Sequence, residues 1–261
     1  MYSNEHKIYL KKIKKNKKVV LFFKIFIIVF FLIMWELLSK AEIINPFLTS
    51  SPSTIIKTII DLYKQNNLFC HIQTTFYETL ISFSLASIIS LIIASILWSN
   101  KTVAKILDPY LTVLNSLPKV SLGPLIIIWI GANTNSIIFM TLLITVFTSI
   151  INIYNAFINT DKQKITLLKT FGASKIQIFT KLILRGNIKS LINTLKINIS
   201  LSLIGVIMGE LLVSKKGLGY LITYGSQVFN LNLVITSIFI LGIMSYLLYI
   251  CIDIIEKRIN K

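Results

Sequence analysis

The stretch VSLGPLIIIWIGANTNSIIFMTLLITVFTSIINIYNAFINT, residues 120–160, contains no charged side chain. A helix rises 1.5 Å per residue, so about 20 apolar residues cross the hydrocarbon of a bilayer, and this run holds more than one crossing. The polar cluster Gly131-Ala-Asn-Thr-Asn-Ser136 divides it. One span therefore ends near Gly131, and the next occupies about 137–157. The uncharged part of the first is short. It begins upstream, around Leu107 to Leu117, and runs over about 107–131, with Pro118 and Pro124 disturbing the helix.

Working outward gives the other spans. Val19 to Leu38 is apolar apart from Lys24 and Glu36, and Thr79 to Asn100 carries no charge. The spans fall at about 20–39, 78–98, 107–131, 137–157, 194–213 and 232–252. The fold class is all-α: a polytopic membrane protein with about six transmembrane helices. A basic tail, 1–19, precedes the first span. A membrane core covers 70–254, interrupted by a loop at 158–190, and a short tail, 255–261, closes the chain.

Composition agrees. Of 261 residues, 54% are hydrophobic and 14% charged, with a mean hydropathy of +0.77. That leaves too little polar surface for a water-soluble domain of this size. Lys and Arg outnumber Asp and Glu by 27 to 10. The bases sit between apolar runs rather than on a face interleaved with aromatics, which argues against nucleic acid. Twenty-two of them fall in 1–24, 99–119, 156–196 and 253–261, whereas 41–75, 131–136 and 214–231 together hold four. This asymmetry predicts both termini inside, an even number of spans and a bacterial inner-membrane location in contact with membrane lipid. Lys7 to Lys18 followed by an apolar stretch resembles a signal peptide, but the stretch is long and no small-x-small site follows, so a retained span is expected.

The chain offers little chemistry of its own. It lacks a G-x-x-x-x-G-K-[ST] phosphate loop; Gly172-Ala-Ser-Lys175 misses the first glycine and the strand context. Two separated histidines, His6 and His71, and two distant cysteines, Cys70 and Cys251, give no metal cluster or disulfide framework. No cofactor and no catalytic residue is expected. Glu36, Glu78, Glu210 and Asp253 fall near span ends, where water or headgroups reach them, so a midplane ion relay is not indicated.

Asp161 to Ser190 keeps helical periodicity within a Lys-rich loop. Ile165, Leu168 and Phe171 recur at i, i+3, i+6, and Ile176, Phe179 and Ile183 at i, i+3, i+7. Asp161 suits an N-cap, and Gly172 suits a chain reversal. Two short amphipathic helices joined by a turn are expected. Periodicity alone leaves two readings open: a pair lying on anionic lipid, or a docking element whose apolar side chains enter a partner's groove.

Here the sequence resembles a known family. Thr166-Leu-Leu-Lys-Thr-Phe-Gly-Ala-Ser174 is similar to the EAA loop of ABC importer permeases, with Asn152-Ile-Tyr-Asn155 and Asp161 in the same frame. Phe47-Leu-Thr-Ser-Ser-Pro-Ser53, Leu107-Asp-Pro-Tyr-Leu, Leu117-Pro118, Pro124-Leu-Ile-Ile-Ile-Trp-Ile-Gly131, Gly209-Glu-Leu-Leu and Gly217-Leu-Gly-Tyr-Leu-Ile222 resemble segments of its nitrate/sulfonate/taurine subfamily. The chain departs from the pattern at Thr166, where the family has glutamate, at Leu167 and Leu168, where it has alanines, and at Leu184-Arg185, where it has Leu-Pro.

The resemblance implies a type I importer permease fold and a small-molecule substrate such as a sulfonate, taurine or nitrate, with the thiamine pyrimidine among the solutes of relatives. It implies ABC ATPase subunits that hydrolyse the ATP, an extracytoplasmic substrate-binding protein, a permease homodimer, and alternating access. Asp161, Thr166, Leu167, Leu168, Phe171, Gly172, Ala173 and Ser174 are the expected ATPase-coupling residues. Gly217, Leu218 and Gly219 are candidates for an outer gate or a binding-protein contact, against the plain reading of a Gly-rich turn. A gradient-driven secondary transporter and a non-transporting membrane anchor are the alternatives.

Overall fold

A computed structural model describes residues 4–259 apart from Asn66. Helix α1 (Asn4–Lys40) joins the basic tail and the first span in one rod. Phe22, Phe26 and Phe30 stack along its exposed side, with centroids 6.1 and 6.0 Å apart, a face suited to lipid. A short α2 (Pro46–Thr49) and an amphipathic α3 (Pro52–Lys64) follow. Ser51 caps α3 by accepting from the Thr54 amide at 3.2 Å, and Pro52 sits in its first turn, where a missing N–H costs nothing. The Ser53 amide donates to Glu36 and ties α3 to α1.

The membrane core is α4 (Leu68–Ser99), the pair α5 (Lys101–Ser116) and α6 (Gly123–Ile130), α7 (Thr134–Ile158), α10 (Ile188–Val213) and α12 (Leu231–Ile259). Between α7 and α10 lie α8 (Lys162–Thr170), α9 (Lys175–Ile178) and a π-helical turn, Phe179–Leu184. Helix α11 (Leu218–Gln227) separates α10 from α12. Five helices are long and apolar enough to cross a membrane, and the bent α5–α6 pair, taken together as one broken span, would bring the number to six. The helices outrun the sequence-derived spans: α4 starts at Leu68 and α10 at Ile188, ahead of the expected starts near 78 and 194. Helices α3 and α11 are additional to those spans.

Helices α4, α7 and α10 form the centre. Lipid is as apolar as leucine, so burial of oily side chains does not drive such helices together; close approach and interhelical hydrogen bonds do. The buried stripe of α4 is accordingly Thr75, Thr79, Ser82, Ala86, Ser90 and Ala94, and α7 presents Thr141, Thr145 and Ser149. On α10, Gly205 and Gly209 are spaced four apart; a methyl on either would meet Thr141 at 2.8 Å or Ile137 at 2.8 Å of α7. Asn198 of α10 locks all three helices: it accepts from Ser149 of α7 and donates to Ser87 of α4 at 3.1 Å. At the end of the bundle that carries the 158–190 loop, Lys196 of α10 bridges Asp253 and Glu256 of α12 at 2.8 and 2.5 Å.

The α5–α6 span bends by 81°. Leu117 is extended (φ −61°, ψ 142°), the conformation forced on a residue that precedes proline, and Pro118 starts a 3-10 turn over Lys119–Leu122. Pro124 lies in the first turn of α6, where it is tolerated, so the break belongs to Pro118. Lys119, which the charge count groups with the basic loops, sits inside this break, its ammonium 5.5 Å from the Phe147 ring of α7.

Candidate functional site

The 158–190 loop is a built hairpin. Asp161 accepts from the Gln163 amide at 2.9 Å and caps α8. Gly172 adopts φ +76°, its N–H bonding the Lys169 carbonyl at 2.9 Å and the Ala173 N–H bonding the Leu168 carbonyl at 3.0 Å. That double closure is a Schellman stop, which a side chain at Gly172 would strain. Ser174 and Gln177 then start α9 with reciprocal bonds of 2.8 and 3.3 Å. At the base, Asn187 donates to the Thr160 hydroxyl at 2.7 Å and joins the two legs.

The hairpin is fixed to the bundle through one face. Ile178 and Ile183 are buried with Ala94, Ile153 and Phe157, and Ile165, Leu168 and Ala173 pack against that cluster. The Phe179 ring lies 5.1 Å from Trp98 and 5.7 Å from Phe157. Lys175 donates to the Ser99 carbonyl at the end of α4. The other face is open. Phe171 is 78% exposed, Ile176 75% and Leu167 55%. Thr166 is exposed too, and with Lys162, Gln163, Leu167 and Thr170 it lines a shallow groove.

The sequence periodicity is therefore half right. Ile165 and Leu168 point inward as their spacing requires, but Phe171, on the Gly172 turn, points out. Phe179 and Ile183 point inward while Ile176 does not, because the π-helical turn shifts the register of the second leg and seats Ile178 instead.

At the opposite end, Gly217, Leu218 and Gly219 are all buried. The Gly217 N–H donates to His71 Nδ1 at 3.0 Å, the Leu218 N–H to the Thr75 hydroxyl at 2.8 Å, and the Gly219 N–H to the Glu210 carboxyl at 2.6 Å. Thr75 in turn donates to Glu210 at 2.6 Å. Gly217 holds φ +106°, and a methyl there would fall 2.2 Å from the Glu210 carboxyl. The first turn of α11 is thus bolted to α4 and α10 through its backbone amides, and these three residues present no side chain to solvent. Sequence reasoning placed Glu78 and Glu210 in reach of water. Both are 1% exposed instead. The signal for this joint was the succession His71, Thr75, Glu78, Thr79 and Ser82, which repeats at three- and four-residue intervals along one face of α4.

A bundle of broken and unbroken apolar helices, carrying a rigid hairpin with an apolar tip at one end, is the architecture of a transporter's membrane subunit. Residues 86–261 match the family model described as "Binding-protein-dependent transport system inner membrane component", and the chain belongs to that family, as the permease subunit of an ATP-binding-cassette importer. It is 29% identical over 226 residues to the formylaminopyrimidine transport permease protein ThiX of Halalkalibacterium halodurans, covering 87% of this chain and 90% of that one. It is 24% identical over 228 residues to the putative aliphatic sulfonates transport permease protein SsuC of Bacillus subtilis (87% and 83% covered). It is 20% identical over 235 residues to the taurine transport system permease protein TauC of Escherichia coli (88% and 85%). In fold it is similar to a chain of the inward-facing MetNI methionine ABC transporter, with a TM-score of 0.66 at 18% identity over 73% of this chain and 95% of that one. Membership sets aside the gradient-driven carrier and the non-transporting anchor. It implies ATPase and substrate-binding partners and a multi-pass inner-membrane location.

Proposed function

We propose that the chain forms half of a translocation pathway with a second copy of itself, and that the hairpin within the 158–190 loop is the handle by which an ATPase subunit moves it. Both termini and the hairpin face the cytoplasm in this reading, and ATP hydrolysis resides in the partner chain. A binding protein delivers a small solute of the sulfonate, taurine or nitrate kind to the opposite face, where α3 and α11 lie. The observation that carries the docking assignment is the division of labour within the hairpin. Ile165, Leu168, Ala173, Ile178 and Ile183 anchor it to α4 and α7, while Leu167, Phe171 and Ile176 are left outward on the same tip.

Anchoring matters as much as exposure. A motor that pulls on a loose loop moves the loop; one that pulls on a hairpin pinned by Lys175, Phe179 and Asn187 moves α4, α7 and α10. Thr166 contributes no charge where the family pattern has a carboxylate, so apolar contact through Leu167 and Phe171 carries the seat. Co-purification with the candidate ATPase tests this. Phe171→Ala with Leu167→Glu abolishes the complex while leaving the chain monodisperse in detergent. A complex that survives the double substitution refutes the assignment.

A further inference from the structure

Asn115 and Lys119 form a polar site against the middle of α7. Asn115 accepts from the Thr148 hydroxyl of α7 at 2.8 Å and from the Lys119 ammonium at 3.2 Å. Phe147 and Thr148 lie about 20 Å from one end of the 25-residue α7 and about 15 Å from the other, at 1.5 Å per residue. Lys119 is thus near mid-depth rather than in a headgroup layer. It pairs with no carboxylate among the described residues. Around it, Ser116, Pro118 and Ser121 are exposed, interleaved with exposed Leu117 and Val120.

The Lys119 ammonium and the interrupted backbone beside it do not suit lipid. An interrupted helix at membrane depth is tolerated where it is covered by protein or lines a water-filled cavity. A lysine near the bilayer centre costs about 3 kcal/mol even on the lenient insertion scales, and such groups mark ion and substrate paths. The Lys119 chain leans over the Phe147 ring and gives one bond to Asn115, leaving ammonium protons for another acceptor.

We infer that the break over Leu117–Leu122 lines the translocation pathway and that Lys119 is the contact for an anionic group, a sulfonate or carboxylate, on the transported solute. This rests on the permease reading above and deepens it. It separates anionic solutes from neutral or cationic pyrimidines by a residue rather than by resemblance. Asn115 and Thr148 act as positioning residues that hold the ammonium toward the pathway.

The test needs no knowledge of the natural solute. In membranes holding the full chain with its ATPase, Cys70 and Cys251 are replaced by Ser and Ser121→Cys is introduced. Two water-soluble thiol reagents are compared, sulfonatoethyl and trimethylammonioethyl methanethiosulfonate, each rate normalised to a free thiol. The sulfonate reagent is favoured by about tenfold, the preference disappears in Lys119→Gln, and Lys119→Arg retains it. A thiol that neither reagent reaches, or a ratio that Lys119→Gln leaves unchanged, overturns the inference. Trapping with ATP and vanadate reports the permease reading separately. A reaction rate that is charge-selective yet indifferent to nucleotide overturns that reading, and the transport role of Lys119 with it.

Discussion

Two glycines with positive φ stand at opposite ends of the bundle, and replacing each by alanine separates backbone strain from buried chemistry. At Gly172 a methyl group meets nothing within 4 Å, so Gly172→Ala carries the left-handed backbone penalty alone, about 1–2 kcal/mol. At Gly217 the backbone (φ 106°, ψ 167°) lies in a region essentially restricted to glycine, worth about 1–3 kcal/mol. The added methyl also lands 2.2–2.5 Å from three atoms of the Glu210 carboxyl. That carboxyl must leave, and its two partners, the Thr75 hydroxyl and the Gly219 amide, lose their bonds in a buried site. Each group left unsatisfied costs about 1–3 kcal/mol, which brings Gly217→Ala to about 3–9 kcal/mol. Against a typical total stability of about 5–15 kcal/mol, that is a large fraction.

The assay is the thermal midpoint of the detergent-solubilised, fluorescently tagged chain, read as loss of the monodisperse chromatographic peak. Gly172→Ala lowers it slightly and Gly217→Ala strongly. Truncating the obstacle then distinguishes the causes. Glu210→Ala removes the atoms that the methyl strikes, so the Gly217→Ala/Glu210→Ala double variant is less unstable than the sum of the two single changes. Equal losses at Gly172 and Gly217, or strict additivity in the cycle, would show that the carboxyl and the α11 amides are not joined as described.

Further outcomes follow from the same packing. Asn198→Leu removes the link between Ser149 and Ser87 and lowers stability by about 1–2 kcal/mol, the sum of two modest intramembrane bonds, measured by the same heating assay. Gly205→Ala pushes α10 off Thr141 of α7 and abolishes the monodisperse peak, whereas Gly186→Ala, whose methyl meets nothing within 4 Å, leaves it intact. Lys196→Glu lowers the midpoint by facing Asp253 and Glu256 with a like charge, and adding Asp253→Lys recovers part of it. Tags inserted near residues 165 and 215 report opposite compartments; a shared compartment would refute the topology.

Most of the architecture was legible because the bilayer imposes a length. The uncharged run over 120–160 had to hold one full crossing and the end of another, and the Gly131–Ser136 cluster had to part them. The hairpin was legible because helix punctuation is local: Asp161 accepts at a cap and Gly172 turns the chain whatever lies around them. Its facing was less so. Phe171 and Ile176 fit the inward period as well as their neighbours do, and only the Schellman turn and the π-helical leg decide that they face out. Helix α11 was hidden for a different reason. Its start is secured by His71, Thr75 and Glu210, residues 9 to 146 positions from the amides they bind, so no local signal fixes it.

Lys119 shows how a charge count and a span assignment can disagree, and which of them physics favours. Counted as a loop base, it supports the orientation rule by one residue among 22. Placed by length, it falls inside the span over 107–131, twelve residues from either end. Orientation statistics average over many residues and survive the loss of one. Depth is set by the covalent chain and by contact with Phe147 and with Asn115, itself bonded to Thr148, so it holds for this residue in particular. A cation retained at that depth opposes membrane insertion. It therefore marks the side of the α5–α6 span that faces away from hydrocarbon, and with it the side of the bundle on which a pathway has to lie.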